Sequence, residues 1–422
     1  MLVPPSRASV ERAETEIARA WERVPFYQRR GPAPVSLAAA PLLWKRDVQA
    51  SLPKAWFPDG HDARALLSSG EVMLSETAGT TGERARVLWR RGGEAALQHE
   101  MLALHPAARG DRPPSDSPEG REAVLGAPTR GMGSCHSGDP SYEDRLEQGR
   151  LHLNSRQDPT FWTDLVKDRM LDELARHETA RLIADPAYLA DLADHAARVG
   201  RRLTVSGFVA LTWSTTTPAH LAAVGRAYSG PRFQLYGTRE LGATLVEASD
   251  GRFESLTERV LLEALPAKGG VDVGADGRSP GALGLLVATT LDREIMPLVR
   301  YVTGDLVRVR DGAIVAIEGR IQDAIVRPDG VWITAGDLAR ALGDLPFQAN
   351  QRADGEIELD VVGPHAARAR ERAAHLFPTM RLDVREQAAL PAEPSGRFRA
   401  ARRHVPARMA RAFEGCEEGV SS

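Results

Sequence analysis

Apolar positions along the chain follow two periods. Over residues 8–29, Val10, Ile17, Ala18, Trp21 and Val24 stand near helical spacing with charged residues between them, which predicts an amphipathic helix packed on a larger body. Trp162 to His177 and Ala187 to Val199 repeat the helical period. Short apolar runs follow at Leu203–Val205, Phe233–Tyr236, Val260–Leu262 and Leu283–Thr289, separated by turns or helical stretches. Alternation of this kind argues for an α/β sheet. Residues 106–120, rich in Pro, Gly, Ser and Asp, read as a surface loop.

The pattern changes near Gly319. Ala324–Val326 and Val331–Ile333 flank Arg327-Pro-Asp-Gly330, and Asp354-Gly355 separates Phe347–Ala349 from Ile357–Val362, so two hairpins are expected. A helix from about His365 to Leu376 and a strand around Leu382–Val384 complete a small α+β unit. The fold class expected is therefore α/β. A large N-terminal domain of mixed sheets and helices spans residues 1–318, and a small α+β C-terminal domain spans 319–422, with the boundary at about Ile317 to Gln322.

Composition narrows the function classes. The chain has 422 residues, 42% hydrophobic and 26% charged, enough for more than one core. A formal net charge of -3 leaves no basic footprint for nucleic acid. No run approaches the roughly 18 apolar residues of a membrane span, and the charged segment Arg7 to Arg30 lacks the apolar centre of a secretory signal. A cytoplasmic enzyme is the simplest reading. The two cysteines, Cys135 and Cys416, are too few for a disulfide framework, and Cys135-His136 supplies only two of the four ligands of a structural zinc centre.

Four short stretches occur in order: Thr77-Ala-Gly-Thr-Thr-Gly82, Tyr236-Gly-Thr-Arg-Glu240, Tyr301-Val-Thr-Gly-Asp-Leu306 and Ser395-Gly-Arg-Phe-Arg399. The first has two glycines for tight turns and three hydroxyls, which suits a loop wrapping phosphates, and it lacks the Gly-Lys-Ser/Thr of a Walker loop. Alone, each stretch also fits an ordinary turn. Together their order resembles the acyl-adenylate-forming superfamily, most closely the phenylacetate-CoA ligase group with its coenzyme F390 synthetase-like members. Trp21–Tyr27, Leu43–Asp47 and Asp185-Pro-Ala-Tyr-Leu189 look like further signatures of that group, and the likeness is thinnest between residues 94 and 160.

The resemblance implies ATP, Mg²⁺ and a small-molecule carboxylic acid, activated to acyl-AMP and then passed to a thiol. CoA is the first candidate acceptor and the phosphopantetheine of an acyl carrier protein the alternative. Thr77, Gly79, Thr80, Thr81 and Gly82 would hold phosphate, Tyr236 and Gly237 would lie against adenine, Asp305 would bind ribose, and Arg320 would reach the same nucleotide. Glu240 would hold the metal, with Thr81 and Arg239 beside the phosphates. Gly207, in Ser206-Gly207-Phe208, stands where relatives have a Gly-Gly turn bordering adenine. Cys135, His136, Phe208 and Trp213 are candidates for the acyl pocket. The resemblance also implies that the small C-terminal domain is mobile, with the hinge near Gln322; Arg397 takes the place of the lysine that crosses the domain gap, and Arg is bulkier, planar and geometrically different. With Arg239 and Gln322, that departure keeps open a nucleotide- or carrier-binding protein that no longer adenylates. No nucleic-acid or membrane partner is expected, and a homodimer is left open.

Overall fold

The structure is a computed structural model and describes residues 3–76, 86–109, 120–127, 140–154, 159–271, 279–404 and 413. The first helix runs Arg7–Arg23, capped by the Ser6 side chain. It ends short of residue 29 because Val24, preceding a proline, adopts the extended conformation, and the chain restarts as the single turn Pro25–Gln28. Its buried face, Ala13, Ile17, Ala20 and Trp21, joins a core with Trp56, Leu261 and Tyr301. The Tyr27 hydroxyl donates to the Pro297 carbonyl at 2.9 Å and accepts from the Val299 amide at 3.0 Å, which ties this helix to the approach of the strand Tyr301–Arg310.

The largest sheet has eight strands in the spatial order 253–254, 242–247, 232–238, 208–211, 181–184, 122–125, 150–152, 146–147. Its five central strands, from Arg232–Thr238 to Arg150–His152, are parallel. Helices cover both faces. Leu182, Ala184, Val209 and Leu211 pack against Tyr188, Leu192 and Val224, while Ile183, Phe208 and Ala210 pack against Met101 and Leu102. Burial on both faces explains the unbroken apolar run Phe208–Leu211. Leu203–Val205, by contrast, belongs to the connection into that strand, and Leu203 packs into the helix-side core.

A second sheet, antiparallel, contains Val260–Pro266, Ala282–Thr290, Tyr301–Arg310 and Ala313–Arg320. The third contains Leu382–Gln387, Ile357–Val362, Phe347–Gln351 and Ala401–Arg403 in that order, packed on the helices Ala335–Leu342 and Ala366–Ala373. Its core starts at Ile325, whereas Ile321 and Ala324 pack with Leu285 and Val302 of the second sheet. The strand Ala313–Arg320 runs through residue 318, where the pattern changes.

Candidate active site

The site grows from strand ends. In Tyr301–Arg310, Gly304 has φ +79, a conformation open to glycine at little cost, where the strand loses regular register with Ala282–Thr290, and the buried Asp305 follows it. Thr303 Oγ1 accepts from the Asp305 amide at 3.1 Å and donates to the Leu286 carbonyl at 2.9 Å, so its position is set from both sides. Asp305 lies opposite Arg320 in the register of the next strand, with Arg320 Nε 3.4 Å from Asp305 Oδ1. From the other sheet the Tyr236 hydroxyl donates to Asp305 Oδ2 at 2.8 Å. Burial and the adjacent Asp305 hold the Tyr236 hydroxyl well above its ordinary pKa, so it stays a donor. Burial pushes the Asp305 carboxyl up, with Arg320 and the Tyr236 hydroxyl opposing; the Asp305 carboxylate in turn raises Arg320.

Glu240, buried at the turn after Tyr236, lies beside Tyr301, whose hydroxyl is held well above its ordinary pKa by burial and by the Glu240 carboxylate. Arg293 fixes the same turn from behind. Its guanidinium donates to the Glu240 carbonyl and, at 2.6 Å, to the Leu88 carbonyl, and it lies 4.1 Å from the centre of the Trp89 ring. Burial lowers Arg293 to about 10, which leaves it cationic at neutral pH. The strand Arg86–Arg90, leaving the Gly/Thr stretch, is thereby tied to the Glu240 turn.

Arg397 comes from residues 393–399. A turn closed by Glu393 N to Arg397 O at 2.8 Å and Gly396 N to Glu393 O at 2.7 Å presents it. The turn is docked on the helix Pro186–Arg198 that covers the large sheet: Tyr188 Oη donates to the Gly396 carbonyl at 2.8 Å, and Phe398 packs edge-on to Tyr188. Arg399 anchors it on the other side, 3.2 Å from Asp323 and 3.1 Å from Glu393. The Arg397 guanidinium makes no hydrogen bond or ion pair with any described residue, yet it is half-buried in a field set by Arg320, Asp185 and Asp305. Burial lowers it, Arg320 adds to the lowering, and the two carboxyls oppose both.

Tyr236, Glu240, Asp305, Arg320 and Arg397 therefore share one site. Gly237 is part of its frame: a Cβ there would come within 2.5 Å of the Gly242 carbonyl oxygen. Arg239 points its guanidinium at Glu94, 3.1 Å away, so its charge is already matched. Gly207 and Phe208 are set apart from the site. Gly207 precedes the amino end of its parallel strand, where a Cβ would strike the Ala180 carbonyl oxygen, and Phe208 is core, its ring 5.2 Å from that of Phe233. The site lies at the carboxyl ends of these strands, about 13 Å further along at the usual rise per residue. There the chain places Trp213, 47% exposed at φ +73, over Gly126. Thr77, Gly79, Thr80, Thr81, Gly82, Cys135 and His136 lie outside the described residues.

Five contributors were not read from the sequence as site residues: Asp185, Tyr188, Ser214, Arg293 and Tyr301. Alternation along the strand was a signal for Tyr301, since Tyr301, Thr303 and Asp305 are two apart. Asp-Pro at residues 185 and 186 is an N-cap followed by N1 proline, a mark of a strand-to-helix junction at a sheet edge. Nothing local marks Arg293.

No family model matches the sequence, and no curated protein sequence matches it. Solved structures do. With a TM-score of 0.65 and 17% identity, the chain superposes on 2-hydroxyisobutyryl-CoA ligase in the postadenylation state in complex with R3-HIB-AMP, covering 95% of this chain and 89% of that one. The fold is that of the adenylate-forming ligases. Against the same ligase in the thioesterification state the TM-score is 0.51, at 17% identity and over 94% and 89% of the two chains. The amide bond synthetase McbA from Marinactinospora thermotolerans gives a TM-score of 0.52 at 15% identity, over 83% of this chain and 70% of that one.

Proposed function

We propose that this chain activates a carboxylic acid with Mg²⁺-ATP and passes the acyl group to a thiol, CoA in the first instance, as in the phenylacetate-CoA ligase group that its motifs resemble. The observation that carries the reading is the Arg397 guanidinium, unpartnered among the described residues and half-buried beside the Tyr236–Asp305–Arg320 cluster. Bringing a carboxylate to a triphosphate joins two anions, and a cation held without a partner is what that encounter requires. A carboxylate oxygen forms a bond to the α-phosphorus as the bond to the bridging oxygen breaks, giving acyl-AMP and pyrophosphate. Arg397 stabilises the charge on the α-phosphoryl oxygens. In the second half-reaction the thiol sulfur bonds to the acyl carbon, AMP leaves and the thiol proton is released.

The remaining roles follow the chemistry of each group. Asp305 offers a carboxylate to the ribose hydroxyls, Tyr236 a flat face to adenine, Gly237 close approach, and Thr77 to Gly82 a phosphate-binding loop. Glu240 suits Mg²⁺, which is commonly held by one or two carboxylates together with substrate phosphates and water. The ion would neutralise phosphate charge. Arg239 can reach phosphate only by leaving Glu94. The C-terminal part, turning near Gln322, would carry Arg397 away for the second half-reaction.

The test is pyrophosphate release from Mg²⁺-ATP with aromatic, fatty and amino acids, with and without CoA. Release that depends on one class of acid is expected, with thioester appearing when CoA is added. ATP binding with no release from any acid would sink the reading and leave a nucleotide-binding protein.

A further inference from the structure

Asp185 is a buried carboxyl whose local duties do not need its charge. It stands just beyond the strand Arg181–Ala184 and caps the helix Pro186–Arg198, with Oδ1 accepting from the Ala187 amide at 2.9 Å and Oδ2 from Ser214 Oγ at 2.8 Å. Asparagine caps helices as well as aspartate does, and a buried charge is costly unless something opposes it. Against that cost stand first the hydrogen bonds from Ser214 and from the Ala187 and Tyr188 amides, and then, from across the chain, the charge of Arg397. Three residues after Asp185, Tyr188 grips the carbonyl of Gly396, which places Arg397 of the docked turn beside Asp185. Behind Arg397 stand Asp305 and Arg320. Asp185 and Arg397 are not in ion-pair contact, and among the described residues none takes the guanidinium's donors, so it faces a ligand while feeling the carboxylate.

We propose that Asp185 is the positioning residue for Arg397: its carboxylate, with the Tyr188 grip on Gly396, holds the guanidinium over the Tyr236–Asp305–Glu240 cluster ready for two anions. The role rests on the ligase reading given above. It sets a carboxylate at the start of the helix Pro186–Arg198 to act on the guanidinium without pairing with it, and it makes the approach of Arg397 depend on a residue that touches no substrate.

Asp185→Asn keeps the shape, the cap and the Ser214 contact and removes the charge. In the intact chain it is expected to lower kcat for pyrophosphate release by about 10–100-fold, the scale of a misplaced catalytic group, with KM for ATP changed less than about twofold. In an Arg397→Ala background the same substitution is expected to do nothing further. Hydrogen exchange supplies a readout that needs no turnover: amides of residues 393–399 should exchange faster in Asp185→Asn than in the wild type. An equal loss of kcat in both backgrounds would assign Asp185 a purely structural role and overturn the proposal, as would unchanged exchange in the turn. If the wild type releases no pyrophosphate with any acid, the ligase reading fails separately, and exchange still decides whether Asp185 holds the Arg397 turn.

Discussion

Two buried charge clusters draw on the same strand pair, Tyr301–Arg310 and Ala313–Arg320, and they are built in opposite ways. In the first, Arg308 donates to both Asp337 oxygens at 2.8 and 3.0 Å and to the carbonyls of Val271 and Gly281, while Arg340 donates to both Glu318 oxygens at 2.7 and 2.9 Å. Thr334 bonds Glu318 and Asp337. The side chains of Arg308, Glu318 and Asp337 are at most 2% exposed, and the one donor without a hydrogen bond, Arg308 Nε, still faces Glu318 at 3.8 Å. In the second cluster, Asp305 and Tyr236 are matched, but the Arg397 guanidinium lacks a partner among the described residues. A saturated network fixes one geometry; a cation left over is a place for an anion.

Substitutions should separate the two. Asp337→Ala removes the bidentate partner of the buried Arg308 and leaves it only Glu318 at 3.8 Å and two carbonyls, so a loss of about 3–5 kcal/mol in urea unfolding is expected; a change near zero would mean that the network opens to water. Arg397→Ala should leave unfolding unchanged and cut pyrophosphate release by about 10²–10³-fold, the size of one lost transition-state donor. Should Arg397→Ala instead destabilise the fold, its guanidinium has a structural partner and the contrast fails.

The next effect depends on pH. Burial pushes the Asp185 carboxyl up to about 6, whereas an unfolded aspartate titrates near about 3.9. Between those values the folded chain keeps a proton that the unfolded chain has released, so the Asp185 contribution to stability falls as pH rises through this window and is level above it. Asparagine has no such slope. The stability of Asp185→Asn relative to wild type should therefore rise between pH 4 and pH 7.5 by up to about 3 kcal/mol. A pH-independent difference in urea midpoints would show that Asp185 is not a buried charge. Smallest is Tyr236→Phe, which removes the hydroxyl on Asp305: a cost of about 1–3 kcal/mol, seen as a raised KM for ATP, is expected for a hydrogen bond to a charged group.

Much of this was legible in the residues. Tyr236, Glu240, Asp305 and Arg320 sit in short patterns at strand ends, where a local signature and a site position coincide, and the structure brings all four together. Gly207 and Phe208 failed for one reason. With Leu203–Val205 taken as the strand, Ser206-Gly207 falls at its carboxyl end; with the strand at Phe208–Leu211 the same residues fall at its amino end, and Thr212–Ser214 takes the edge that faces the site. Period and apolarity do not tell one end of a parallel strand from the other.

What the chain determined by itself is local: the helix stops at Val24 because Pro25 follows, Asp185 caps because Pro186 begins a helix, and Gly304 permits the strand irregularity that precedes Asp305. What only the tertiary structure decided is the electrostatic state of each charge. Among the described residues Arg239 is paired with Glu94 and Arg397 with none, though nothing near either residue in sequence tells them apart. Charge interactions depend on separation in space and on burial, and both are set by segments far distant along the chain.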